Sequence, residues 1–84
     1  MNPREAFYAV SARTSKLEWA ILAGDDAATL SHLALLRDDY ANLAAEAVLQ
    51  AVRQGMTQRR ASILLGVSEA AIRGARREAS RVDA

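Results

Sequence analysis

Thr57-Gln-Arg-Arg-Ala-Ser-Ile-Leu-Leu-Gly-Val-Ser-Glu-Ala-Ala-Ile-Arg-Gly-Ala-Arg-Arg77 is the stretch on which the reading of this chain turns. Thr57 is a residue that caps helices, and a short helix is expected after it. Ala61, Leu64 and Leu65 stand three and four residues apart, so they share a face expected to point inward. Gly66 ends that helix, since a left-handed backbone is open to glycine without penalty. Val67 reads as an apolar anchor in the turn, and Ser68 caps a second helix by accepting a bond from an orphan amide. On the second helix Ala71, Ile72, Ala75 and Ala79 are expected inward. Glu69, Ala70, Arg73, Arg76, Arg77 and Ser80 are expected outward. Two short helices joined by a tight turn meet at a steep angle, and Ser62, Ala71 and Ala75 supply the small side chains this needs. Ile63 falls where a surface residue is expected, so it is read as covered by the N-terminal helices or by another subunit.

Working outward, alanine, leucine, arginine and glutamate dominate, and the only proline is Pro3, so every sizeable segment reads as helix. Asn2 caps a first helix with Pro3 in its first turn, and Gly24 ends it near Ala23. Phe7, Val10, Thr14, Leu17 and Ile21 draw an apolar stripe along one side of it. Tyr8, Ala12, Trp19 and Ala23 lie on a second side, roughly 100° or more around. A helix with two apolar sides meets two surfaces, here the domain core and a second subunit. Asp25 or Asp26 caps the next helix, with Leu30, Leu33 and Leu36 inward. Arg37-Asp38-Asp39-Tyr40 reads either as a break with a new cap or as the middle of one long helix, the break being preferred. Helix then continues through Leu43, Ala44, Ala47, Val48 and Ala51 to Gln54, and Gly55 stops it.

The chain has 84 residues, 51% hydrophobic and 25% charged, the balance of one small folded domain. A chain this short buries only roughly 60% of its unfolded surface, so a partner subunit would add stability. Cysteine is absent and His32 is the only histidine. Thiolate chemistry, a zinc cluster and a serine–histidine relay therefore lose their parts, and neither an enzyme nor a cofactor or metal site is expected. His32 is read as a helix-face residue, and the pairs Asp25-Asp26 and Asp38-Asp39 as helix-cap positions. No apolar run is long enough to span a membrane, and the N-terminus lacks the form of a signal peptide, which gives a cytoplasmic expectation. The net charge of +1 hides an asymmetry: residues 1–54 carry −2 and residues 55–84 carry +3, with six arginines in that last part. A basic end on a near-neutral chain implies a local anionic partner, or else a solvated arginine-rich helix.

Residues 57–77, a quarter of the chain, resemble the helix-turn-helix of phage-repressor and Cro-type DNA-binding proteins. Thr57-Gln58, Ala61 and Ser62, Leu65-Gly66-Val67-Ser68, Ile72 and Ala75 carry the resemblance. Ser62 departs from the alanine more usual in that family, and Gly74 departs within the second helix. The resemblance implies an all-α bundle of four or five helices with a C-terminal tri-helical unit. Residues 1–84 form a single domain in this reading, with residues 1–45 for packing and dimerisation and residues 46–80 for DNA. It further implies that Ser68, Glu69, Ala70, Arg73 and Arg77 face base edges in the major groove. Arg73 is the leading reader, because its fork can bond guanine O6 and N7 together. Thr57, Gln58, Arg59 and Arg76, with Arg77 shared, bind phosphate. The expected protein is a small transcriptional regulator, a repressor, acting on double-stranded DNA as a homodimer joined through Tyr8, Ala12, Trp19 and Ala23. The competing expectation is an adaptor on the transcription machinery, or an antitoxin-like protein. In it the N-terminal helices bind another protein, and DNA binding is secondary or absent.

Overall fold

Every helix begins where a side chain takes up an amide that the helix itself leaves unpaired. The computed structural model describes residues 2–83, and side chains through Glu78. In α1 (Pro3–Leu22), Asn2 Oδ1 accepts from the Glu5 amide at 2.9 Å and Pro3 occupies the first turn. In α2 (Asp26–Arg53), the carboxylate of Asp25 accepts from the Ala28 amide at 3.0 Å. In α3 (Gln58–Leu65), Thr57 Oγ1 accepts from the Arg60 amide at 3.1 Å. Ahead of α4 (Glu69–Asp83), Ser68 Oγ accepts from the Ala71 amide at 3.1 Å. Gly66 closes α3 at φ +75°, where its amide and that of Val67 both donate to the Ser62 carbonyl, at 2.9 and 3.0 Å. There is no strand among the described residues. None of the described helices is long and apolar enough to cross a membrane.

The break expected at Arg37–Tyr40 is absent, and α2 runs unbroken from Asp26 to Arg53. No proline or glycine interrupts it, and Asp39 is engaged elsewhere: it accepts from Arg13 Nε of α1 at 3.3 Å. Residue 45, the expected division between the two parts, therefore lies inside a helix that both parts share.

α1 packs on α2 alone, as an antiparallel hairpin. Its buried positions are Ala6, Val10 and Ala20, with Arg13 and Leu17 half-buried between them. This seam is rotated by one residue from the expected stripe, sharing only Val10 and Leu17 with it, while Phe7, Thr14 and Ile21 stay exposed. Alanine at positions 6 and 20 lets the two helices approach closely, which an aromatic ring at the seam would prevent. On α2 the facing positions are Thr29, His32, Leu36, Asp39, Leu43 and Glu46, at alternating three- and four-residue steps. Leu36 is thus on the seam as expected, but Leu30 and Leu33 are exposed. His32 lies half-buried within the seam rather than on an open face, and its Nδ1 has no hydrogen-bond partner.

The C-terminal half of α2 turns its opposite side to α3 and α4. Val48, Ala61 and Ile72 form one apolar cluster, with Val52 and Met56 against it. Ala45 and Leu49 form another, with Ala75 packed on it. Ala61, Ser62 and Ile72 are inward as read, but Leu64, Leu65, Val67 and Ala71 are exposed. For Leu64, Leu65 and Val67 the cause is the position of α1, which lies on the far side of α2 and leaves no helix above the end of α3. Ile63 is likewise uncovered by the N-terminal helices. The side chains of Ala79 and Ser80, expected inward and outward, lie outside the described residues. The result is a rod of 45 × 24 × 18 Å with a radius of gyration of 14.7 Å. A compact domain of this length would have about 12 Å.

Candidate nucleic-acid interface

Ile72 has no solvent exposure at all, and this fixes how α4 is turned. At 100° per residue, Arg73 lies about 100° from the buried meridian, Arg77 about 140° and Ala70 about 160°. All three are exposed, as are Ser68 and Glu69 in the turn and first helical position. Ala70, Arg73 and Arg77 thus lie on the open side of α4, with Ser68 and Glu69 exposed at its start. Arg76, four residues beyond Ile72, stands only about 40° from the buried meridian. It is half-buried rather than fully outward, and its Nε is shut off from solvent without a hydrogen-bond partner.

An open cleft of about 400 Å³ is lined by Gln58 at the start of α3 and by Arg73, Arg76 and Arg77 of α4. The short turn folds α3 back so that its first residue meets the middle of α4. Two candidates for base contact and two for phosphate contact are brought to one place by this arrangement. Three arginines along one open hollow concentrate positive charge there, and the fork geometry of arginine matches phosphate oxygens. Arg59 is exposed on α3 but does not line the cleft, and the hydroxyls of Thr57 and Ser68 are engaged in capping. The convergence of Arg73 and Arg76 was missed from sequence. The three-and-four spacing of residues 73, 76 and 77 was the available signal, but which other element they meet depends on the turn.

The aspartates read as cap positions have local roles. Asp25 is a cap, Asp39 pairs with Arg13, and Asp38 lies 3.7 Å from Arg37 on the surface. Among the described residues no group of histidine, aspartate and glutamate is arranged to hold a metal ion. Tyr8, Ala12, Trp19 and Ala23 are all exposed, on the side of α1 turned away from α2. They are well separated from the arginine cleft, since α1 does not touch α3 or α4. Compared with known proteins, the chain matches no family model, no curated protein and no solved structure.

Proposed function

We propose that this chain binds double-stranded DNA through α3 and α4, acting as a helix-turn-helix. In this reading it is a small transcriptional regulator, a repressor that works by occupying its site. The observation that carries it is the cleft shared by Gln58, Arg73, Arg76 and Arg77, beside the exposed outer face of α4. α4 enters the major groove, Arg73 reads a guanine, and Ser68, Glu69, Ala70 and Arg77 lie along the base edges. Gln58, Arg76 and the more distant Thr57 and Arg59 hold phosphates and set the register. One such unit reads few base pairs, so the binding species is a homodimer on a two-fold symmetric site.

Titration of a random-sequence and a selected duplex at several salt concentrations tests this. Affinity falls steeply with salt, with a slope near −0.9 per phosphate neutralised. Arg73→Ala weakens the selected duplex by about 1–3 kcal/mol and relaxes its sequence preference, whereas Arg59→Ala weakens all duplexes alike. Equal effects of both substitutions on every duplex would overturn the assignment of roles.

A second reading is favoured by the far end of α1, where Trp19 and Leu22, one turn apart, are each about 70% exposed. Apolar side chains so open mark a surface that meets another protein. In that reading the chain is an adaptor or antitoxin-like protein, and DNA affinity would be weak with no preferred sequence.

A further inference from the structure

We propose that one face of the α1–α2 hairpin, formed by Phe7, Thr14 and Ile21 of α1 and by Leu33, Tyr40 and Ala47 of α2, seats a second copy of this chain. The two hairpins then close a four-helix bundle about a two-fold axis parallel to the helices. This deepens the homodimer part of the proposed function and is independent of DNA binding.

The argument starts from spacing. The seam between α1 and α2 occupies positions 6, 10, 13, 17 and 20 of one helix and 29, 32, 36, 39, 43 and 46 of the other. Two positions in every seven are thereby used, as in a two-stranded coiled coil. Phe7, Thr14 and Ile21 repeat every seven residues directly beside that seam, and so do Leu33, Tyr40 and Ala47. In an antiparallel pair, positions displaced from the seam in the same rotational sense lie on the same side of the hairpin. The two sets therefore form one face. Phe7, Ile21, Leu33, Tyr40 and Ala47 are all exposed, and the Thr14 hydroxyl donates to the Val10 carbonyl at 2.8 Å and so is satisfied within α1, which leaves the Tyr40 phenol as the one polar group that the face turns outward. A third apolar position in seven is what a helix carries when it sits in a bundle of four rather than a pair.

The exposed area points the same way. The chain presents 5881 Å² to solvent, whereas a compact monomer of its mass would present about 4,900 Å². The excess, about 1,000 Å², is close to the ~800 Å² that each partner contributes to a stable interface. The face is also pitted where packed helices need it to be. A hollow of about 330 Å³ is bounded by Thr14, Leu17, Glu18 and Ile21, with Leu22 at its rim. The first four stand at i, i+3, i+4 and i+7, the outline of a hole that receives a facing side chain.

The second copy is favoured over an unrelated partner because the face complements itself. The Arg13–Asp39 contact sets the register, so residues of α1 and α2 whose numbers sum to about 52 lie at the same height. A two-fold axis along the helices lays each α1 against α2 of the second copy at equal height. Phe7 then meets Ala47 of the second copy, Thr14 meets Tyr40, and Ile21 meets Leu33. The two aromatic residues each oppose a small one. α1 of the second copy also passes above a groove of about 240 Å³ that includes Ala44, Ala47, Ala51, Leu64 and Leu65, covering the leucines left open in the single chain. Finally, this axis sets both α3–α4 units at one end of the bundle, where a single duplex can reach them. A two-fold axis across the helices would send them to opposite ends.

The test uses the full chain without DNA, in sedimentation equilibrium over a range of concentrations. The unsubstituted chain is expected to be a dimer. Ile21→Glu and Tyr40→Glu each weaken self-association roughly 100-fold, with helical content unchanged, since each side chain is exposed in the single chain. Tyr8→Glu and Trp19→Glu leave it within about threefold, because they lie on the other side of α1. The chain has no cysteine, so single introduced thiols report the axis. Mixed Thr14→Cys and Tyr40→Cys chains form a covalent dimer on oxidation, and neither alone does. A purely monomeric chain, weakening by Tyr8→Glu or Trp19→Glu in place of Ile21→Glu, or cross-linking of Thr14→Cys with itself would each overturn the proposal. None of these results bears on whether duplex binding occurs, so the two proposals fail separately.

Discussion

At Gly74 a methyl group would meet no atom within 4 Å, and the backbone is helical. Glycine there serves no packing purpose within the chain, and it leaves the unfolded state more freedom than alanine would. Gly74→Ala is expected to stabilise the fold by roughly 0.5–1 kcal/mol, raising the thermal midpoint by about 2–8 °C. A fall in the midpoint would mean that the space beside Gly74 is filled in the assembled protein. Ile72 is the opposite case. It is the one side chain of α4 described as fully enclosed, and it holds α2, α3 and α4 together. Ile72→Ala should cost about 2–5 kcal/mol in urea unfolding, a large share of what a chain this size possesses. Residues of both kinds were legible in sequence where the cause is local. The caps at Asn2, Thr57 and Ser68 and the left-handed turn at Gly66 depend on neighbours within three or four positions. Leu64 and Leu65 were not legible, because their burial depends on whether a helix arrives above them.

The helices themselves could be read from composition and punctuation, but their faces could not. α1 offers two adjacent apolar stripes, and spacing alone does not say which one α2 takes. The choice falls on alanines 6 and 20 because short side chains permit close approach, leaving the larger Phe7 and Ile21 outside. In α2 the pair Asp38-Asp39 looked like a cap and is instead part of an uninterrupted helix, with Asp39 turned to Arg13. Both side chains of that ion pair are mostly buried, at 24% and 19% exposure, so screening by water is limited. A pair placed in this way sets the register of two helices more than it adds stability. Arg13→Ala and Asp39→Ala are each expected to destabilise the hairpin by leaving a charge without its partner. A double-mutant cycle should give a coupling of about 0.5–3 kcal/mol, and additive effects would show the contact to be incidental.

On the scale of the whole molecule, one long helix joins two surfaces with different chemistry. Together with α1 it presents residues that repeat every seventh position, all hydrophobic but Thr14. Its C-terminal half carries the α3–α4 unit with its arginines. Mechanical continuity through α2 means that the two-fold axis of a bundle also fixes the distance and angle between the two arginine clefts. If duplex binding uses both clefts, dimerisation and affinity are linked, since the second unit then binds at the high local concentration set by the first. The consequence can be measured with the Tyr40→Glu chain, whose arginines are untouched. It should bind a symmetric duplex more weakly by roughly 100-fold or more, yet bind a single half-site as well as the unsubstituted chain does. Its salt dependence should be about half as steep, since one unit neutralises half as many phosphates as two. For the unsubstituted chain, the protein concentration giving half-saturation should track its own dimerisation. Equal affinity of both chains for the symmetric duplex would mean that each unit reads DNA alone, and that the bundle serves some purpose other than recognition.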